Sequence, residues 1–377
     1  MKILKRLLFI TDVMSNGGVE KVITNTLKGI DKSKYKITLY VMYKTKAQNI
    51  KSIPDHVEIK YLFKKSVRGS YQRIWFYLLM FAPPTLMRKF IIGNEKYDIV
   101  VTTKEIFSHP IRNYKSKKIL WFHGGFDHLK KEKKTIINNI KHWYKYNTFK
   151  RFDNILLLTK NSKRLFCQHY NLKEKCNVLY NPINDREIIN LSNEKVHDYN
   201  FSSNVTIICS SRLSKEKGLE RLLSCCNSLL KEGYKFKLVL LGDGSEKKKL
   251  KTIILNSPLL LKNVSMLGYK ENPYKYIRNS NIYVSPSHSE GFSLSIAEAI
   301  ILGVPVISTN CNGPAEILDN GTYGLLVDNS DIGIYKGLKE VLSKPRLLEE
   351  LKRKSIDRKK FFSFYENIKK FEDIINS

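Results

Sequence analysis

Carboxylates are scarce in this sequence for its size. Its 377 residues carry 35 Asp and Glu against 66 Lys and Arg, a formal charge of +31. Such an excess draws anionic partners: nucleic acid, an acidic lipid leaflet or a phosphorylated small molecule. Nucleic acid is disfavoured. Helix-turn-helix, RNP and zinc-finger patterns are absent, and the cations run along the whole chain instead of forming one stripe. Long apolar runs are missing too; none reaches the roughly 18 residues of a membrane-spanning helix. The six cysteines form no C-x-x-C and have no His at zinc-site spacing, which fits reduced thiols in a cytoplasmic protein. No complete G-x-G-x-x-G occurs, so a dinucleotide is not supported. Repeats and low-complexity tracts are lacking as well.

What is present is an alternation of apolar runs and amphipathic stretches long enough for two domains. A hydrophobic content of 42% excludes general disorder. The start, through Thr11-Asp12, reads as a first strand rather than a signal peptide. Lys5–Val13, Tyr35–Tyr43, Val57–Phe63, Asp98–Thr103, Lys118–Phe122 and Phe152–Thr159 read as strands of a first domain ending near Pro182. Asp185 to Asn204 is polar without an apolar period and reads as a linker. Val205–Ser210, Lys237–Leu241, Asn263–Gly268, Asn281–Ser285 and Val304–Thr309 supply a second sheet. Strand, glycine turn and helix in sequence, as at Lys5 to Gly29, is a nucleotide-fold opening. Gly17-Gly18 there either admits a phosphate or sugar to the backbone or merely caps the helix.

The densest chemistry lies in S-H-S-E-G-F-S-L-S-I-A-E-A, from Ser287 to Ala299. Glu290 falls in a strand-to-helix loop and Glu298 on the helix, eight residues later. Such a spacing corresponds to about 12 Å along a helix, too far for the two to share a proton. They suit opposite ends of an elongated anion lying over the helix N-terminus, where free N–H groups at Ser293 and Leu294 seat a phosphate. A nucleotide-diphosphate sugar fits. Ser295-x-x-Glu298 also fits a capping box, which needs no ligand.

In full, E-G-F-S-L-x-x-x-E-A resembles the signature of the retaining GT-B glycosyltransferases of glycosyltransferase family four. The likeness is strong from Val205 to Val327 and weaker before it. It implies an α/β GT-B fold: two Rossmann-like domains with parallel sheets facing across a cleft, and a C-terminal helix packing back on the first domain. The expected divisions are 1–185 for the acceptor, 186–204 as linker, 205–356 for the nucleotide sugar, and 357–377 as the returning helix. Pro345–Lys354 and Lys359–Ile375 are both expected to pack on the first domain.

The resemblance also implies roles. R-L-x-x-x-K-G assigns Arg212 and Lys217 to the donor diphosphate. Gly18 touches the same group, Tyr269 borders the base, and Gly291, Phe292, Ser293 and Leu294 line the donor. Glu298 meets the ribose hydroxyls. Glu290 and His123 are the catalytic candidates, both against the transferred sugar. Glu20 or Asp127 assists the acceptor hydroxyl. No cofactor is implied, since the nucleotide sugar is a substrate. No metal is implied either: fixed cations replace it, and the D-x-D pair of the other main transferase fold is absent.

The acceptor side is expected to meet a glycan or lipid-linked glycan in capsule or lipopolysaccharide assembly. Ile74 to Ile92 opens on nine apolar residues and breaks at Pro83-Pro84. It reads either as a buried helix with its connection or as a segment lying on the anionic inner face of the cell membrane. The rival readings are another GT-B sugar-nucleotide enzyme (epimerase or phosphorylase), a transferase-like scaffold without activity, or a basic nucleic-acid-binding protein.

Overall fold

Apolar strands separated by helices build two all-parallel sheets, one in each of two units, residues 1–182 with 364–377 and residues 183–363. This computed structural model describes residues 4–377 apart from 16, 45–47, 64–69, 127–128, 130–134 and 202–203.

The first sheet contains β1 (Lys5–Val13), β2 (Tyr35–Tyr43), β3 (Glu58–Phe63), β4 (Ile99–Thr102), β5 (Lys117–Trp121), β6 (Asn154–Leu157) and β7 (Cys176–Val178). Their order is β3-β2-β1-β4-β5-β6-β7. Leu7 of β1 sits opposite Ile37 on one side and Ile99 on the other. The order reverses between β1 and β4, so their carboxyl ends flank the crevice where such sheets take ligands. Helices cover both faces, which is why Leu7, Leu8, Phe9 and Ile10 are all buried in succession.

The second sheet contains β8 (Val205–Ser210), β9 (Phe236–Leu241), β10 (Val264–Gly268), β11 (Ile282–Ser285), β12 (Val306–Thr309) and β13 (Leu325–Val327). The order β10-β9-β8-β11-β12-β13 reverses between β8 and β11. Helix Leu219–Lys231 buries Leu219, Leu222, Leu223, Cys226 and Leu229 in this unit's core. Each such leucine contributes about 1.5–3 kcal/mol by leaving water.

Two expectations need correction. Residues 186–204 are not a free linker. Asp185–Ser192 is a helix of the second unit, capped by Asn184, whose side chain accepts from the Glu187 amide at 3.1 Å. It buries Ile188, and the Asn272 side chain donates to Leu191 O at 2.8 Å. Two turns are too short to display an apolar period.

The last two helices also part company. Pro345–Arg358 stays on the second unit, with Ser355 Oγ donating to Val304 O and Arg358 Nε to Ile317 O. Phe364–Asn376 belongs to the first unit. There Phe371 stacks between Phe9 and Trp121 at 5.9 and 5.5 Å, and Lys117 Nζ donates to Ile374 O at 2.9 Å.

Candidate active site

In the second unit the predicted donor residues gather at the carboxyl ends of β8 and β11, the reversal point. After β8 the chain turns through Arg212 and the short 3-10 segment Lys215–Lys217 to Gly218, then enters helix Leu219–Lys231. After β11 runs the loop Pro286 to Gly291. Lys217 Nζ donates to Glu290 Oε2 at 2.5 Å, both side chains mostly buried. Ser287 Oγ donates to the same oxygen at 3.3 Å. The His288 amide donates to Glu216 O at 2.8 Å, and the Arg212 guanidinium pairs with Glu216 Oε1, also at 2.8 Å. Arg212, Lys217 and Glu290 therefore sit in one connected network, with Arg212 the solvent-facing member.

Glycines allow these turns to approach. A Cβ on Gly313 would lie 2.6 Å from Gly291 O and 2.9 Å from Phe292 Cα, and the Gly313 amide donates to Glu290 O at 3.2 Å. Gly242, at φ +130°, fits beneath Ser211 O, and Leu213 N donates to Asp243 O at 2.9 Å. The Gly242 amide donates to Gly268 O at 2.8 Å, which brings the half-exposed Tyr269 to the same edge of the sheet.

Ser293 is the N-cap of helix Leu294–Ile301, and no side chain caps it. The capping-box reading fails, because Ser295 lies inside the helix rather than before it. Glu298 is buried, and Tyr274 Oη donates to its Oε1 at 3.4 Å. Gly291 lies at the loop's end, and Phe292 is buried beside it.

The first unit gathers a second cluster. His123 follows β5, and its ring lies 4.8 Å from that of Trp121. Both ring nitrogens are enclosed and meet no hydrogen-bonding partner among the described residues. Burial, with the nearby Lys104 cation, pushes the imidazole down to about 3, so it is neutral. Gly18 opens helix Gly18–Gly29, with Gly17 as N-cap and no side-chain cap. Glu20 is buried and folds back over Gly17, where an added Cβ would meet Oε2 at 2.3 Å. Burial raises its carboxyl above the ordinary range, offset in part by backbone hydrogen bonding and Lys104. Lys104 also pairs with Asp12 at 3.4 Å. Asp127 lies outside the described residues.

Sequence reading missed the residues that hold the Pro286 to Gly291 loop. Arg221 is buried in the helix after Gly218. Its Nε donates to Pro286 O at 2.7 Å and its Nη2 to Asn329 Oδ1 at 2.8 Å. Asn329 Nδ2 donates to His288 O at 2.8 Å, and Thr309 Oγ1 to Ser287 O at 2.6 Å. The available signal was a cation inside the apolar stripe of Leu219, Leu222 and Leu223. Such a charge needs a partner. By itself the second-unit cluster offers fixed cations, helix amides and carboxylates, the kit for stabilising a departing phosphate.

The chain is also similar to known proteins. The profile described as glycosyl transferases group 1 matches residues 193–358, and that of glycosyltransferase family 4 matches residues 16–187. An uncharacterized glycosyltransferase of Methanocaldococcus jannaschii is 32% identical over 310 residues, 75% of this chain and 72% of its own. A Campylobacter jejuni N-acetylgalactosaminyltransferase, named for a diphospho-undecaprenol-linked acceptor, is 29% identical over 57% of each chain. The Staphylococcus aureus capsular polysaccharide biosynthesis glycosyltransferase CapM is 29% identical over 40% of this chain and 39% of its own. Among solved structures, Anabaena HepE with UDP and glucose has a TM-score of 0.72 at 15% identity, covering 98% of this chain and 99% of its own.

Proposed function

The chain belongs to the group 1 glycosyltransferases, and from that membership we propose that it moves a hexose-type sugar from a UDP-sugar, with retention of anomeric configuration, to a lipid-linked glycan. Assembly of a cell-surface polysaccharide, capsule or lipopolysaccharide, is the setting, with the enzyme peripheral on the inner face of the membrane. The names of the Campylobacter and Staphylococcus relatives support the acceptor and the setting. The HepE complex supports the UDP-sugar.

The observation that carries this reading is the Lys217–Glu290 pair, tied through Glu216 to Arg212 at the reversal point of the second sheet. In the proposal, the diphosphate takes Lys217 and Arg212 away from their carboxylate partners. The amides at Ser293 and Leu294 and the helix dipole share its charge. Freed from Lys217, Glu290 accepts hydrogen bonds from the sugar hydroxyls. Glu298, held by Tyr274, meets the ribose. Tyr269 borders the base, and Gly18 lets the donor approach the backbone. The neutral His123 offers the sugar one donor and one acceptor nitrogen. Glu20, its proton affinity raised by burial, is the acceptor-side base. Preorganised charge of this kind supplies the largest catalytic term, and no step here is routed through a metal.

Thermal shift with UDP, GDP and ADP tests the donor. A ligand at about 100 times its dissociation constant stabilises by about 2.7 kcal/mol. Stabilisation by UDP and transfer from a UDP-sugar in the presence of EDTA are expected. No response to any nucleotide, or transfer restored only by a divalent ion, overturns the corresponding part. Epimer released without acceptor identifies the rival enzyme class.

A further inference from the structure

We propose that the first unit docks on an anionic lipid bilayer through one apolar surface built from helices Ser70–Phe81, Pro84–Ile92 and Ile136–Phe149. This deepens the lipid-linked-acceptor reading by naming the face that meets the lipid.

Ten of the seventeen large apolar side chains exposed among the described residues lie on these three helices. The others are scattered along the chain, as single exposed apolar residues normally are. On Ser70–Phe81 the exposed set is Ile74, Tyr77, Leu78 and Phe81, the i, i+3, i+4, i+7 stripe of one helix face. Leu79, on the opposite face, is fully buried. On Pro84–Ile92, Leu86 and Phe90 point outward while Met87, Ile91 and Ile92 point in. On Ile136–Phe149, Ile136, Ile140 and Trp143 again form one stripe, with Ile137 at its edge. Ile136 is 80% exposed and Trp143 67%.

The stripes join. Tyr144, next to Trp143, donates its hydroxyl to Met80 O, and its ring lies 6.3 Å from that of Phe81. Phe81 in turn lies 6.4 Å from Tyr77, and both remain about two-thirds exposed. An exposed apolar surface with a Trp on it marks an interaction site.

Charge selects the occupant. From Lys64 to Asn94 the sequence has six cations and no carboxylate; from Lys130 to Arg151 it has eight cations and one carboxylate. Lys89 and Lys141 are exposed beside the apolar stripes. A second copy of the chain would press like charge on like charge, whereas anionic headgroups neutralise it. Among the described residues no helix is long and apolar enough to cross a membrane, so these helices lie in the interfacial layer.

Flotation of the full-length protein with phosphatidylcholine vesicles, with and without phosphatidylglycerol, tests the surface. Binding only to the phosphatidylglycerol vesicles, weakened by high salt, is expected. The double variant Phe81→Asp/Ile140→Asp loses at least about tenfold in vesicle partition. Trp121 is buried and Trp75 half-buried, so a blue shift of emission on vesicle addition that disappears in Trp143→Phe reports insertion at this face. Equal partition of wild type and double variant, or no wild-type binding, overturns the proposal. So does a wild-type dimer, seen by sedimentation, that the double variant dissociates. The UDP thermal shift of the same samples separates the two readings. Vesicle binding without a UDP shift defeats the proposed activity alone, and a UDP shift without vesicle binding defeats this surface alone.

Discussion

Gly218→Ala is the sharpest probe of how the candidate site is held. Gly218 sits at φ +65° between the Lys215–Lys217 turn and its helix. An alanine held in that left-handed region costs about 1–2 kcal/mol. Its Cβ would also lie 2.1 Å from Pro286 O and 2.7 Å from Arg221 Nε. Restoring van der Waals distance moves the Pro286 carbonyl by about 1 Å, at a further cost of about 1–3 kcal/mol. Pro286 begins the loop that carries Glu290, and the same carbonyl accepts from Arg221. A shift of about 1 Å in a positioned reacting group lowers the rate by about a hundredfold.

The control is Gly233→Ala. Gly233 has φ +90° and open space where its Cβ would go. It meets the backbone cost without the collision. Urea unfolding of both variants and kcat/KM for transfer from the proposed UDP-sugar donor are the measurements. The expected result is a larger stability loss for Gly218→Ala, with transfer reduced by about two orders of magnitude, and near-normal transfer for Gly233→Ala. Equal stability losses with full transfer in Gly218→Ala would refute the claim that this contact sets the loop.

Lys217→Ala removes the cation from Glu290. We expect a kcat/KM loss of about 10²–10³ for transfer and weakened UDP stabilisation, with the circular dichroism spectrum unchanged. Wild-type transfer in that variant contradicts the site. His123 supplies a pH test. Its folded-state pKa is depressed to about 3 by burial, so the stability it contributes is fully present above the ordinary imidazole value of 6.5. That stability is lost as pH falls from there toward about 3, because the unfolded chain takes up a proton the native state refuses. The slope is about 1.4 kcal/mol per pH unit. Urea midpoints at several values between neutral and mildly acidic pH should fall less steeply for His123→Asn; parallel profiles would contradict the burial argument.

Local sequence determined most of the elements. β1, β2 and β8 follow from largely apolar runs ended by turn residues, since a strand covered on both faces has little polar to show. Turn chemistry likewise placed Arg212, Lys217 and Glu290 in strand-to-helix connections. Cys176–Val178 escaped as a strand, and Asp185–Ser192 as a helix, because each is too short to carry a period.

Tertiary structure decided everything that depends on separation along the chain. Lys217 and Glu290 are 73 residues apart and meet only because the sheet sets β8 beside β11. The Arg221 and Asn329 clamp on the intervening loop is 108 residues apart and equally invisible to local pattern. The apolar surface of the first unit depends on folding in the same way. The sequence shows the 74–92 run, but only packing of Tyr144 against Phe81 joins it to Trp143. Periodicity reports which face of one element avoids water. Which faces then find each other is settled by sheet order, where long-range contacts offset the entropy of closing long loops.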